Sequence, residues 1–228
     1  MNDLLATSKT EQEHQRFVFI LLTLGFVASW IVINSFFKTG WITALLLCLI
    51  VIVVDFVYII KKDDHFLGKL IIFGLVAGMT ELLADAWLVD QSKTLFYQHG
   101  EPLLVDSPIY MPIAWAVVLV QIGYIGYHIS LTKGLLYGTL VTGVIGGVII
   151  PIYESCAKGA GWWYYDDPHH IIWNAPYYII LGEFLLALAL PYLFVQIKRR
   201  EFYLAVPIGV VMGLWIWVSY AIAFYTVG

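Results

Sequence analysis

Charged residues are scarce in this chain, and their scarcity excludes most soluble protein classes. Only 12% of the 228 residues are Asp, Glu, Lys or Arg, whereas 61% are hydrophobic. Soluble domains carry about 25% charged residues, so this composition is typical of an integral membrane protein. The chain also lacks a polar block long enough to fold as a second domain. We therefore predict a single membrane domain, residues 17–228, preceded by a polar N-terminal arm, residues 1–16.

Cysteine and clustered basic residues are sparse as well. The two cysteines, Cys48 and Cys156, make neither a disulfide pattern nor a metal-binding pattern. The 12 basic residues are scattered and the formal net charge is −4, so nothing indicates a nucleic-acid partner. The sequence shows no nucleotide or redox-cofactor motif. We expect no metal, no cofactor and no nucleic acid.

Long apolar runs are abundant, by contrast. A transmembrane helix needs about 20 apolar residues, and runs of that length recur along the chain. The first run is longer than a signal-peptide core and no small-residue cleavage site follows it, so we expect it to be a true span. We predict an all-α polytopic membrane protein with seven transmembrane helices, near residues 17–37, 41–60, 67–90, 108–130, 134–157, 175–197 and 202–226.

The basic residues predict how these helices are oriented. Nine of the 12 lie at span ends on the side of the N-terminus, and only Lys38, Lys93 and Lys158 lie on the other side. Cytoplasmic loops are enriched in Lys and Arg. We therefore expect a cytoplasmic N-terminus and a C-terminus on the far side, in the cytoplasmic membrane of a prokaryote or in an endomembrane. The two long connections, 91–107 and 158–174, both fall on that far side, where they can cover a site.

Several carboxyl groups interrupt the apolar spans. Glu81 and Asp85 are four residues apart, which places them on one face of a helix. A carboxylate inside a membrane costs about 2.5–3.5 kcal/mol on insertion scales, so it is expected to face a protein interior or a wet cavity and to have a function. A structural role, with hydrogen bonds to Tyr, Trp or Ser, is the alternative. The candidate catalytic residues are Glu81, Asp85, Glu154 and Glu183.

The two far-side loops are dense in aromatic residues. Five aromatic residues occur in the twelve positions from Trp162 to Trp173, interleaved with Asp166, Asp167, His169 and His170. Aromatic residues at this depth form either an interfacial belt or the wall of a binding site, and both interpretations stay open. The adjacent histidines have no partner at i,i+4 and make a poor metal site. The candidate substrate-binding residues are Trp87, Tyr97, Tyr110, Trp115, Trp162, Trp163, Tyr164, Trp173 and Asn174.

A weak internal repeat relates the two halves of the chain. In each half a glycine-rich span ends in a glutamate, an aromatic loop follows, and the next span opens with proline. We predict two pseudo-repeated three-helix halves, 41–130 and 134–226, that face each other across a shared cavity, a common way to build a site in a membrane. The repeat aligns Glu81 with Glu154 and Trp115 with Glu183.

Carboxyl groups in an apolar, aromatic pocket suit one kind of chemistry. Burial raises the pKa of a carboxyl group and keeps it protonated, so that it can protonate a weak base such as an alkene or an epoxide. Aromatic faces stabilise the resulting cation by up to about 2 kcal/mol each when they are desolvated. A second carboxylate can take the proton back or direct water onto the cation. These groups together are the ones needed to catalyse cyclisation or hydration of a terpenoid.

Two groups of short strings in the sequence carry a resemblance to a known family. They are Thr80-Glu81-Leu-Leu, Phe96-Tyr97, Gly100, Pro102-Leu103 and Ile109 to Trp115, and then Gly161-Trp162-Trp163-Tyr164, Asn174-Ala-Pro176 and Leu181-Gly182. The first group resembles the membrane-bound carotenoid-biosynthesis proteins, namely the bacterioruberin-precursor hydratases and the small lycopene cyclases. The second group resembles their second-half motif, an aromatic loop before a proline-led helix. More remotely, the seven-helix layout is similar to the membrane terpene cyclases of fungal meroterpenoid pathways.

The resemblance covers roughly residues 78–190. It implies that Glu81, and after it Glu154, are functional positions. The sequence departs from the family at Asp85, at the pair Asp166-Asp167 and at Glu183, where an aromatic residue is expected. These departures leave the substrate open.

We therefore expect an intramembrane terpenoid or polyene cyclase or hydratase, an isomerase or lyase that needs no cofactor. Glu81 or Asp85 is the expected proton donor, and Glu154 or Glu183 the base or water-orienting group. The expected partners are a lipid-soluble isoprenoid and membrane lipid. Two alternatives are a proton- or cation-coupled carrier, in which the same carboxyl groups form a relay, and a non-enzymatic subunit of a membrane assembly.

Overall fold

Seven α-helices make up most of the protein. The computed structural model describes residues 2–166 and 171–228. Within these residues seven helices are long and apolar enough to cross a membrane. Their bounds lie within a few residues of the predicted spans, except that the first helix begins 15 residues before the predicted start at residue 17. The all-α prediction is confirmed at this level. The helices are α1 (Asn2–Phe37), α2 (Trp41–Lys62), α3 (His65–Ala86), α4 (Met111–Lys133), α5 (Leu135–Ala160), α6 (Tyr177–Arg199) and α7 (Ala205–Val227).

The helices alternate in direction, so both long connections lie at one end of the bundle. The α3 helix continues as a π-helix, Trp87–Ser92, and a 3-10 turn, Phe202–Leu204, precedes α7. In the described parts of the two long connections lie six short strands. They are β1 (Leu95–Tyr97), β2 (Leu103–Leu104), β3 (Ser107–Pro108), β4 (Trp163–Tyr165), β5 (Ile171–Ile172) and β6 (Ala175–Pro176).

The two long connections are bonded to each other. Strand β1 of the first pairs antiparallel with β4 of the second, with Phe96 opposite Tyr164. The two rings are stacked with their centroids 5.3 Å apart. In addition, each connection forms its own hairpin, β2 with β3 and β5 with β6. The far end of the bundle is thus closed by one joined layer.

Residues 2–16, predicted as a polar arm, are helical and continuous with the first span. The guanidinium of Arg16 is only 2% exposed and binds both carboxylate oxygens of Asp64, at 2.6 and 2.7 Å. Asp64 also caps the N-terminus of α3 by accepting from the Leu67 N–H at 3.0 Å. The Tyr124 hydroxyl lies 3.1 Å from Arg16. Helices α1, α3 and α4 are therefore tied together at the end of the bundle opposite the long connections.

The first helix crosses the pair formed by α4 and α5. Just past its midpoint, Thr23 accepts a hydrogen bond from Gln121 of α4 at 3.2 Å. Near its end, Ser35 lies against Gly159 of α5, where the glycine leaves room for the Ser35 backbone. The part of α1 between Thr23 and Ser35 therefore spans the groove between α4 and α5, and it forms one wall of the cavity described below.

Small residues set the helix spacing, as is usual where lipid supplies no hydrophobic drive for association. The tightest backbone contact involves α3 and α4. A Cβ at Gly78 would lie 2.4 Å from the carbonyl oxygen of Pro112. Because the obstacle is backbone, it cannot move aside as a flexible side chain would. This contact holds the acidic end of α3 against the start of α4.

We predict that Gly78→Ala destabilises the protein by about 1–3 kcal/mol, because the added methyl group overpacks the α3–α4 contact. Gly25→Ala is the matched control, since nothing lies within 4 Å of a Cβ at that position in α1. Thermal unfolding of the two variants in detergent micelles measures the difference. Equal unfolding midpoints would show that α3 and α4 are not closely packed at Gly78.

We predict a loss of about 3–5 kcal/mol for Arg16→Met, because the change leaves the Asp64 carboxylate buried without its counter-charge. The control is Glu13→Gln, which removes the more exposed Lys198–Glu13 ion pair and should cost less than about 1 kcal/mol. Chemical unfolding in detergent reports both. A loss for Arg16→Met no larger than that for Glu13→Gln would contradict the structural role of the buried pair.

Candidate active site

A cavity of about 210 Å³ lies inside the bundle, and all seven helices contribute to its wall. On α4 the lining residues run from Met111 to Ile122, so the cavity extends from the joined loops toward the middle of the bundle. Most of the lining is apolar. The polar groups gather at the end near the loops. Apart from Gln121 of α4, which lies deeper in the bundle, they come from α3, α5, α6, α7 and the two connections.

Three carboxyl groups on three different helices line this cavity: Asp85 of α3, Glu154 of α5 and Glu183 of α6. They are close enough to interact electrostatically, Glu154 with both of the others. The ion pairs found within residues 2–166 and 171–228 join Arg16 to Asp64, His65 to Asp63 and Lys198 to Glu13. The three acids of the cavity therefore have no basic partner among the described residues.

The first loop holds the Asp85 side chain. Its Oδ2 atom accepts hydrogen bonds from the Tyr97 hydroxyl at 2.5 Å and from the Ser107 hydroxyl at 2.7 Å. Tyr97 ends strand β1 and Ser107 begins strand β3. Asp85 is 4% exposed. Neutral hydroxyl groups thus do what a basic residue would do elsewhere, and they fix the carboxyl group toward the cavity.

The second loop holds Glu154 in a comparable way. The Trp163 indole N–H, at the start of strand β4, donates to Glu154 Oε2 at 2.6 Å. The Asn174 side-chain amide donates to the backbone carbonyl of Glu154 at 3.1 Å. Pro151 lies one turn earlier in α5 and has no N–H to give to that helix. The second loop therefore bonds both the side chain and the backbone of Glu154.

The third acid is held by the last helix. Tyr220 of α7 donates from its hydroxyl to Glu183 Oε1 at 2.7 Å. The Tyr220 ring lies against Gly182, where a Cβ would be only 2.3 Å from the ring. Glycine at this position lets α7 come close enough for the hydroxyl to reach the carboxyl group. Glu183 keeps some accessible surface because it faces the cavity.

Glu81 is placed differently from the other three acids. It is 0% exposed, and it is not among the residues that line the cavity. It lies one turn from Asp85 on α3, and the two carboxyl groups interact electrostatically. Neither Glu81 oxygen has a hydrogen-bond partner in the described part of the chain. Because adjacent buried carboxylates cannot both be ionised, at least one of the two carboxyl groups carries a proton.

The predicted aromatic wall is present in part. Five of the selected residues line the cavity: Tyr97, Tyr110, Trp115, Trp162 and Trp163. Trp162 and Trp163 are almost fully buried, and their ring centroids lie 5.9 Å apart.

The other four selected residues lie elsewhere. Trp87 packs edge-on against Phe224 of α7. Tyr164 is 43% exposed and stacks on Phe96 on the outer side of the joined loops. Trp173 is 70% exposed. Asn174 does not line the cavity, and its side-chain amide donates to the backbone carbonyl of Glu154. The density of aromatic residues in the sequence did not show which of them lie on the inner face of the loop strands and which on the outer face.

Sequence reasoning missed several residues of the site. Tyr153, Tyr165 and Tyr220 all line the cavity. Tyr165 could have been found, because strand residues 163 and 165 point to the same side. Tyr220 carries no sequence signal, since its role depends on the packing of α7 against α6. Glu101 was missed as well. It is 7% exposed in the first loop, and burial raises its pKa to about 7.

The loop histidines, His169 and His170, lie outside the described residues, as does Asp167. Asp166 is exposed, and its backbone N–H bonds to the Thr94 carbonyl at 2.9 Å. In residues 2–166 and 171–228 no three His, Cys, Asp or Glu side chains are arranged to hold a metal ion.

The fold and the cavity define a class, an α-helical protein with seven helices suited to a membrane and an acidic chamber at one end of the bundle. Within that class, residues 82–227 match the family model DUF6989, described as a domain of unknown function. The match covers more than half of the chain, which therefore belongs to this family. Comparison with curated proteins and with solved structures found no match.

We predict that Trp163→Phe lowers stability by about 1–3 kcal/mol, because the change leaves a buried Glu154 oxygen without its donor. Trp173→Phe is the matched control: the same change at a 70% exposed ring should leave stability nearly unchanged. Thermal unfolding in detergent, followed by circular dichroism, measures both. Similar losses for the two variants would argue against the bond between Trp163 and Glu154.

Proposed function

We propose that this chain is an integral membrane enzyme that protonates a lipid-soluble polyene and directs its cyclisation or hydration. One observation carries the proposal. Carboxyl groups from three helices converge on one apolar, aromatic-lined cavity, and the described residues give them no basic partner. Such groups are costly in a membrane, so a set of them facing one chamber favours a chemical role.

The Glu81–Asp85 pair is the proposed acid. The two carboxyl groups lie one turn apart on α3, and Asp85 is the member of the pair that faces the cavity. At rest each of them carries a proton. Asp85 delivers its own proton to the substrate, and the pair, which then carries one negative charge, shares the proton that Glu81 retains. This assigns contact with the substrate to Asp85, whereas the resemblance favours Glu81.

Glu154 is the proposed base. Its Oε2 atom accepts the Trp163 N–H. No donor in residues 2–166 and 171–228 bonds to Oε1, which can take a proton from the substrate cation or orient a water molecule. Glu183, held by Tyr220, is near enough to Glu154 to share that task. A proton given by Asp85 and one taken by Glu154 leave the enzyme with no net change in charge.

The aromatic rings are the proposed cation-stabilising surface. Trp115, Trp162 and Trp163 line the same cavity as the acids. Each aromatic face contributes up to about 2 kcal/mol to a desolvated cation. The tyrosine rings of the cavity add further faces, and their hydroxyl groups position the acids. The cavity thus combines a proton source with a surface that tolerates positive charge.

Entry of the substrate from the membrane fits the shape of the cavity. Ala28 of α1, Val118 of α4 and Ile149 of α5 line it and are also exposed. They lie about 10–17 Å in from the far ends of their helices, taking a rise of 1.5 Å per residue. That depth falls within a hydrocarbon core of about 30 Å. An apolar chain can therefore enter sideways without crossing the loops.

We also propose that the two halves of the chain form an internal repeat and that the helices have a defined orientation in the membrane. The two hairpins have the same register, and their turns place Val105 and Trp173 in the left-handed region, 68 residues apart. The same spacing relates Lys93 to Gly161, also left-handed. The π-helix in the first half adds a residue, so Asp85 is the proposed counterpart of Glu154.

The excess of basic residues at the end of the bundle opposite the long connections favours a cytoplasmic N-terminus.

We predict that Asp85→Asn and Glu154→Gln each lower turnover of a linear polyene by about 100-fold or more, the usual contribution of acid–base catalysis. Purified protein in nanodiscs is incubated with linear isoprenoids of several lengths, and mass spectrometry measures cyclised or hydrated product. Asp106→Asn, a change in the first loop away from the cavity lining, should retain full turnover. Full activity in either acid variant would remove the proposed acid or base.

The same preparation separates an enzyme from a carrier. Proteoliposomes loaded with a pH-sensitive dye report proton flux on addition of substrate. Product formation without a gradient supports the enzyme. Flux that requires the acids, with no product from any polyene tested, would contradict it.

A further inference from the structure

Glu101 and Tyr110 lie between the acidic cavity and the outer surface. Glu101 is buried in the first loop, yet its neighbours His99, Gly100 and Pro102 are all exposed. The Glu101 carboxyl group therefore lies beneath a single layer of exposed residues. Among the acidic residues of the two long connections that the structure describes, it is the buried one: Asp166 is exposed and Asp106 is half-buried.

The Glu101 carboxyl group is held toward the interior. Its Oε1 atom accepts from the Gln98 backbone N–H at 2.7 Å, and its Oε2 atom accepts from the Tyr110 hydroxyl at 3.3 Å. Gln98 is itself fixed, because its side-chain oxygen accepts from the Trp41 N–H at the start of α2 at 3.0 Å. This part of the loop is thus anchored to the helix bundle.

Tyr110 continues from Glu101 into the cavity. It is 1% exposed at the outer surface and lines the cavity together with Tyr153. Tyr153 precedes Glu154 in α5 and interacts electrostatically with both Glu154 and Glu183. Glu101 and Tyr110 interact with each other by hydrogen bonding and electrostatically. Their other partners are Gln98, Tyr153 and Cys48 of α2, and in the described part of the chain no basic side chain is among them.

We propose that Glu101 and Tyr110 form a proton relay between outside water and the acids of the cavity. The inference rests on the proposed function, because it supplies the route by which those acids regain the protonation state they need. In the outward direction, Tyr110 gives its hydroxyl proton to the Glu101 carboxylate and receives one from the Tyr153 side of the cavity. Glu101 then releases its proton to water. Reversal of these steps loads the acids.

The polar end of the cavity can complete this route. Tyr110, Tyr153 and Glu154 border one space of about 210 Å³, and a water molecule occupies about 30 Å³ and needs two to four polar partners. Glu101 suits the entry position because burial raises its pKa to about 7. It can therefore gain and lose a proton near neutral pH. Glu101 and Tyr110 affect the proposed reaction only through the acids of the cavity, so we class them as positioning residues and not as catalytic ones.

Hydrogen–deuterium exchange of the buried carboxyl groups tests the relay without any substrate. The full chain in phosphatidylcholine nanodiscs is moved into D2O, and infrared spectroscopy follows the band of the protonated carboxyl groups. Glu154→Gln and Glu183→Gln identify the part of the band that belongs to the cavity. Glu101→Gln and Tyr110→Phe should each slow exchange of that part about tenfold or more. Asp106→Asn should exchange like the unaltered chain.

Two further readouts separate a relay from a structural role. Exchange in the unaltered chain should change with pH around a midpoint near 7, and Glu101→Gln should lose that inflection. Glu101→Asp should restore most of the rate. If Glu101→Gln does not fold, Tyr110→Phe, which keeps the ring in place, decides the question. Unchanged exchange in Tyr110→Phe would overturn the relay.

The relay and the proposed function can fail separately. Unchanged exchange, together with loss of polyene turnover in Asp85→Asn, would reject the relay and leave the enzyme in place. Slowed exchange, with no polyene converted, would keep the relay and reject the proposed chemistry.

Discussion

The absence of basic partners for the buried acids of the cavity, within the described residues, is the constraint on which the rest of the structure depends. A buried carboxyl group must be hydrogen-bonded or neutral, because an isolated charge costs far more than a folded protein can offset. Here the donors are neutral: Tyr97 and Ser107 for Asp85, Trp163 for Glu154, and Tyr220 for Glu183. Neutral donors fix the positions of the acids without forming an ion pair, so a proton can still be exchanged with a bound molecule.

The two long connections are therefore part of the site as well as its cover. Strands β1 and β4 pair with each other, and their inward residues carry donors for Asp85 and Glu154. Because the strands are joined, a displacement of one loop moves the groups that hold both acids. At the opposite end, the Arg16–Asp64 pair ties three helices together where no chemistry is proposed. The bundle thus has an end tied by a buried ion pair and an end where the acids gather.

Particular residues show how far sequence reasoning reaches. The spacing of Glu81 and Asp85 correctly placed both carboxyl groups on one helix face, but it did not distinguish which of them faces the cavity. That depends on the rotation of α3 against α4, α6 and α7. The density of aromatic residues marked the second loop, yet only alternate side chains of a strand point inward. Trp163 therefore reaches Glu154 while Tyr164 lies outside.

The sequence by itself determined the seven helices, their bounds within a few residues apart from the start of α1, and the end of the bundle at which the acids gather. These features follow from the length of apolar runs and from helical periodicity, which are local properties of the chain. Only the tertiary structure decided that Asp85, Glu154 and Glu183 share one cavity, that Tyr220 and Glu101 belong to the same end, and that Glu81 lies behind the wall. These features depend on how helices distant in sequence are rotated and spaced, and glycine contacts such as Gly182 with Tyr220 set that spacing.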